Sequence, residues 1–240
     1  MSASPLAAAF APEPSSDAIQ LPAIARAIAP EALDSDEVLL WTIMRAFEVQ
    51  ASAQYRLHTP VLAQGKAEVG PTLLHLAGDD RPLDESILGP TMAELVESAA
   101  MAGDEGAVLV AQGLVLERVR LICYSTLARL PEVPASSRVI AGALEPISAE
   151  IVARTPGLFA SVCARTGYKP FSLFTEASDD VLHKLDAVGE GVDEIFGERF
   201  GLRFADIVGD FVADLVPACV ELGMERRKVM SHLAGALMGI

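Results

Sequence analysis

Four side chains in one stretch, Asp179, His183, Asp186 and Glu190, give the pattern D-x-x-x-H-x-x-D-x-x-x-E. At 100° per residue they share one helical face, and an imidazole between carboxylates at that spacing can hold a divalent cation. Metal sites in helical bundles draw their ligands inward from facing helices, and the paired Glu-x-x-His motif of that class occurs nowhere in this chain. The four residues also lie opposite an apolar stripe of Val181, Leu185, Val188, Val192, Ile195 and Phe196. The favoured reading is therefore a solvated acidic face; a metal site is the weaker alternative, and no cofactor is expected.

The acidic theme continues beyond that motif. Asp193 and Glu194 join Asp186 and Glu190 on the same face, and Asp206, Asp210 and Asp214 recur every four residues in the next helical pattern. Like charges at i, i+4 cost a helix a few tenths of a kcal/mol per pair. Residues 170–216 carry eleven acidic and three basic side chains, a net −8, about half the charge of the whole chain. Asp186, Glu190, Asp193, Glu194, Asp206, Asp210 and Asp214 are thus expected to form a docking surface for a basic protein partner.

A second place for chemistry is the apolar run after Asp104. Glu117, Arg118 and Arg120 interrupt it, and charges in such surroundings must pair, reach an edge or line a cavity. Glu117 and Arg120 are spaced to pair at i, i+3. With Tyr168, one of three aromatic residues gathered at Tyr168, Phe171 and Phe174, these residues form the alternative site: a small-ligand pocket, or the pocket of a metal-dependent enzyme, beside the central helix. A cavity lined by one of the three charged residues and a histidine would favour that alternative. A filled core under an open acidic face would favour docking. His58, His75, His183 and His232 fall in four separate segments, so no nucleophile is seen beside its base. Gly189-Glu190-Gly191 follows no strand and is not a dinucleotide fingerprint.

The elements that must position these residues are helical. Ser35 is the expected N-cap of a helix reaching about residue 58, with Asp36 and Glu37 facing its positive end and Thr59-Pro60 ending it. A capping box of Thr91 and Glu94 opens another. Asp104 caps the longest apolar helix, which ends before Pro131 and is apolar on all faces, so it belongs at the centre of a bundle. Leu114, Leu121 and Ile122 are its expected core residues. Further helices are expected over 137–143, 148–166 with a break near Pro156-Gly157, 178–200, 203–216 and 218–238. Only 168–174 reads as extended. The fold expected is an all-α single bundle of roughly eight helices over 17–240, with a flexible N-terminal tail at 1–16 and a possible subdomain boundary within 61–89.

Bulk properties narrow the function classes. The chain has 240 residues, 51% of them hydrophobic, and a formal charge of −15, which disfavours a nucleic-acid backbone or an anionic membrane surface. Mean hydropathy is high at +0.37. Yet the longest uncharged runs, 1–12 and 229–240, are shorter than the roughly 18 residues of a membrane span. No basic segment precedes the first apolar run, so a secretory signal is not expected. Cys123, Cys163 and Cys219 are scattered without C-x-x-C spacing, which points to buried thiols in a reducing cytoplasm. Surplus apolar surface, above all at 229–240, suggests a homodimer. The favoured function is a non-catalytic interaction or regulatory module.

Overall fold

The computed structural model describes residues 33–66, 69, 73 and 104–238, without the side chains of residues 65, 190, 194, 195 and 238. Among them no strand occurs. In chain order the helices are α1 (Ser35–His58), α2 (Pro60–Ala63), α3 (105–129), α4 (Ala135–Thr166), α5 (170–200), α6 (Phe204–Glu221) and α7 (Arg226–Met238). A 3-10 turn, Gln64–Lys66, follows α2. Wider π segments occupy Leu109–Leu116 of α3 and Asp193–Gly197 of α5. The all-α bundle expected from the 3.6-residue period is what the chain adopts. The tail at 1–16, the Thr91–Glu94 capping box and most of 61–89 lie outside the described residues.

Asp34, not Ser35, caps α1. Its carboxylate accepts from the amides of Asp36 at 3.1 Å and Glu37 at 2.9 Å, while Glu37 accepts from the Asp34 amide at 3.1 Å. This reciprocal box satisfies amides that a helix start otherwise leaves orphaned. The second Glu37 oxygen accepts from the hydroxyls of Ser136 and Ser137 at 2.6 and 2.7 Å. Trp41, fully buried, donates from its indole to Ser137 at 3.0 Å. One cap thereby ties the start of α1 to the start of α4.

α3 is the central helix, packed against α1, α4, α5 and α6. Every residue from 108 to 118 is buried. Gly113 permits close contact with α4, since a Cβ there would lie 2.6 Å from Thr155 Cγ2. Leu114 is fully buried as expected, but Leu121 and Ile122 are only half-buried. The π segment explains the difference. Its turns are wider than 3.6 residues, so the phase of the core-facing stripe advances across it. Beyond Leu116 the stripe resumes as Glu117, Arg120, Tyr124 and Leu127, all buried.

Three prolines at expected helix breaks do not break their helices. α4 runs unbroken through Pro146 and Pro156, although each removes a backbone donor. Ile140, Leu144, Ile147, Ile151, Phe159 and Val162 keep it packed on the core. α6 likewise passes through Pro217 and stops after Glu221, where Gly223 takes the left-handed conformation (φ 83°) that ends the turn. The 168–174 segment is not extended: Pro170 opens α5, a position where its missing amide hydrogen costs nothing. No described helix is long and apolar enough to cross a membrane.

Candidate functional site

Four charged side chains meet inside the bundle without touching solvent. Glu48 comes from α1, Lys66 from the 3-10 turn, and Glu117 and Arg120 from α3; none exposes more than 4% of its side chain. Lys66 Nζ bridges the two carboxylates, pairing with Glu48 and lying 2.9 Å from Glu117. Arg120 donates from Nη2 to Glu117 at 2.7 Å and holds its Nε 3.7 Å from Glu48. Tyr124 donates to Glu48 at 2.7 Å and Tyr55 to Glu117 at 3.3 Å. Two cations and two anions balance.

Local physics sets the protonation of this cluster. Burial alone would raise the Glu117 carboxyl, but Arg120 and Lys66 outweigh it and hold it down at about 2. Burial also opposes the charge on Arg120, yet Glu117 and Glu48 keep its guanidinium protonated. The phenols of Tyr55 and Tyr124 are pushed well above their usual range, first by burial and then by the carboxylates they face. Glu117, Arg120 and the two phenols are thereby each held in one charge state, which suits a structural core better than proton transfer.

Against this cluster lies an apolar cavity of about 80 Å³, between α1, α3, α5 and α6. Ile43 and Phe47 of α1, Leu116 and Cys123 of α3, Val188 and Phe196 of α5 and Ile207 of α6 are among its walls. Leu116 and Phe196 belong to the two π segments, so both irregular turns border the same space. Arg120 contributes to the wall, but no polar atom faces the cavity. Its guanidinium is turned toward Glu117 instead. The Cys123 thiol is pushed up to about 12 by burial and stays neutral.

The chain matches no protein-family model, and no curated protein or solved structure is similar to it.

Of the ligand-pocket residues expected from sequence, Arg120 lines the cavity and Glu117 sits behind it in the charge cluster. Arg118 turns elsewhere, donating to Asp214 at 2.8 Å and to the Leu114 carbonyl at 3.2 Å. Tyr168, half exposed before α5, is not part of the wall. Among the described residues no histidine is either. Glu48 and Lys66 were not singled out by their spacing. Glu48 could have been found, because it shares a helical stripe with Trp41, Met44, Ala51 and Tyr55, all buried.

The expected acidic face is largely exposed. Asp186, Asp206 and Asp210 are open to solvent and form no salt bridge among the described residues. Asp193 accepts from the Phe204 amide at 2.6 Å and so serves the start of α6. Asp214 is engaged by Arg118. The side chains of Glu190 and Glu194 lie outside the described residues.

At the proposed metal ligands, His183 donates from Nδ1 to the Asp179 carbonyl at 2.8 Å, and its Nδ1 lies 3.8 Å from the Asp179 carboxylate. Asp186 is exposed on the same helix. Among the described residues no three His, Cys, Asp or Glu side chains converge as a metal site would.

The fold does bring one histidine to a serine and an acid. His232 Nε2 and the Ser178 hydroxyl are hydrogen-bonded at 3.0 Å, and Nδ1 faces Asp179 Oδ1 at 3.9 Å. Burial lowers the His232 pKa more than Asp179 raises it, so the ring is favoured neutral. The order resembles a hydrolytic triad, but Ser178 is fully buried and does not line the adjacent depression. A serine out of reach of substrate cannot attack it. Nor is 3.9 Å a hydrogen bond.

Proposed function

We propose that this protein is a helical-bundle small-ligand-binding protein whose site is the cavity beside the central helix. One observation carries the reading: an apolar cavity lies between four helices of the bundle, bordered by both π segments. Irregular helical turns cost backbone regularity and recur at functional sites. An apolar cavity stays dry and gains dispersion contacts and hydrophobic transfer when an apolar group enters it. An engineered cavity of about 150 Å³ admits benzene. A space half that size accepts a short alkyl chain or the apolar end of a larger molecule. The locked charge cluster behind it supports binding rather than catalysis. The free cysteines fit a reducing, cytoplasmic setting.

The test is a series of straight-chain alcohols, butanol to octanol, read by thermal melting. A ligand that binds only the folded state raises Tm as its concentration passes Kd. Tm should rise with at least one member of the series, and the rise should vanish in Val188→Phe, which fills the cavity. A flat Tm across the series would overturn the proposal.

The exposed Asp186, Asp206 and Asp210 favour a second reading, in which the α5–α6 face docks a basic protein partner. The two readings are compatible, since the cavity walls and the acidic residues are different side chains of the same helices.

A further inference from the structure

We infer that the cavity selects an uncharged hydrocarbon group and rejects a carboxylate; this rests on the ligand-binding reading proposed above. Among the described residues Arg120 is the one charged residue in the cavity wall, and it is the feature that would suggest a fatty acid or other acid as ligand. Three observations remove that possibility.

First, the guanidinium is turned toward the protein's own carboxylates. Nη2 lies 2.7 Å from Glu117 and 3.4 Å from Gln112, and Nε, which makes no hydrogen bond among the described residues, lies 3.7 Å from Glu48. Nη1 has no hydrogen-bond partner among the described residues, but it is buried, and no polar atom of the wall opens on the cavity. Second, the surrounding charges cancel. Lys66 and Arg120 are matched by Glu48 and Glu117, with the Glu117 carboxyl held ionised. An entering carboxylate would meet a neutral cluster, not a spare cation. It would then lose its hydration without a compensating partner, which is the costly way to bury a charge. Third, the side of the cavity formed by α5 and α6 carries acids just outside it. Asp193 follows Val192, and Asp206 lies two residues after Phe204, both exposed. These repel an approaching anion.

The same reasoning separates Arg120 from an ordinary acid-binding arginine, whose fork is left open for a planar anion. Here protein carboxylates from two helices already stand beside the guanidinium, Glu117 at 2.7 Å and Glu48 at 3.7 Å. What remains facing the cavity is the aliphatic part of the side chain, and the site recognises shape and hydrophobicity.

Pentan-1-ol and pentanoate share a chain and differ in charge, so the experiment titrates both into the isotopically labelled protein at pH 7. Binding is read from methyl resonances of Leu116, Val188 and Ile207. Pentan-1-ol should bind at least tenfold more tightly than pentanoate. Pentanoate binding as tightly as the alcohol would overturn the inference and leave the ligand-binding reading standing. No shift with either probe would overturn both. Glu117→Gln provides an independent check if it folds, because it leaves one cation unmatched. The preference for the alcohol should then narrow by about tenfold, and an unchanged preference would mean that charge balance does not set selectivity.

Discussion

Lys66 holds two carboxylates together where neither has water to turn to. Removing it leaves Glu48 and Glu117 sharing a dry space with one cation. Lys66→Met should therefore destabilise the fold by about 3–5 kcal/mol, the scale for breaking a buried pair from one side. Denaturant titration measures this directly, and a loss below about 0.5 kcal/mol, the range of ordinary surface changes, would mean that the cluster is not structural. The pH dependence has a definite sign. Glu117 titrates near 4.5 when unperturbed and is held down at about 2 in the folded chain. Its contribution to stability is present above the higher value and is lost as pH falls from there through about 2. Glu117→Gln should flatten that part of the stability profile. At this scale the sequence was half legible. The Glu117–Arg120 pair follows from i, i+3 spacing, whereas Lys66 enters from a short turn whose position no periodicity reveals.

The helices show why local pattern reads some elements and misreads others. The amphipathic stripe of α5 survives folding: Val181, Leu185, Val188 and Phe196 are buried, while Asp179, His183, Asp186 and Asp193 are exposed. Burial of one face is decided by the helix itself, so its sequence suffices. Breaks are different. Pro146, Pro156 and Pro217 each carry a local penalty that tertiary packing overrides, and that packing is invisible in a short window. The phase of α3 is misread for a related reason, because a straight 3.6-residue count cannot anticipate a π segment. The consequence can be measured. Leu114→Ala should cost about 2–5 kcal/mol through lost transfer energy and the cavity left behind. Leu121→Ala, half-buried after the phase shift, should cost roughly 1 kcal/mol or less. Equal losses at the two positions would contradict the π-shifted packing.

Across the whole molecule, charge and hydrophobicity are segregated. A chain of −15 places much of its acid on α5 and α6, outside a mainly apolar core into which the balanced cluster, Glu37 and Arg118 are built. The high mean hydropathy suggested surplus apolar surface at the C-terminal helix, and with it a homodimer. Val229, Leu233, Ala236 and Leu237 of α7 are instead buried within the chain, where α7 packs on α5 and α6, and Met230 is left exposed. The side chain of Met238 and residues 239–240, where the expected patch ends, lie outside the described residues. The acids, by contrast, remain outside. Asp186, Asp206 and Asp210 form no salt bridge among the described residues, and Asp206 and Asp210 are like charges at i, i+4 of α6, a spacing that costs a helix a few tenths of a kcal/mol. Replacing all three with Asn should leave the helices intact and raise Tm at low ionic strength. That gain should fade as salt rises, since exposed charges are screened beyond about 10 Å at roughly 0.1 M. If the face docks a basic protein, the same triple variant should also slow association with it, as should added salt on the unmodified chain. A polylysine probe in stopped-flow mixing measures the charge dependence before any partner is known. An association rate unaffected by the three substitutions would remove this face from consideration as a docking surface, and a Tm gain that persists in high salt would show that repulsion is not what those aspartates contribute.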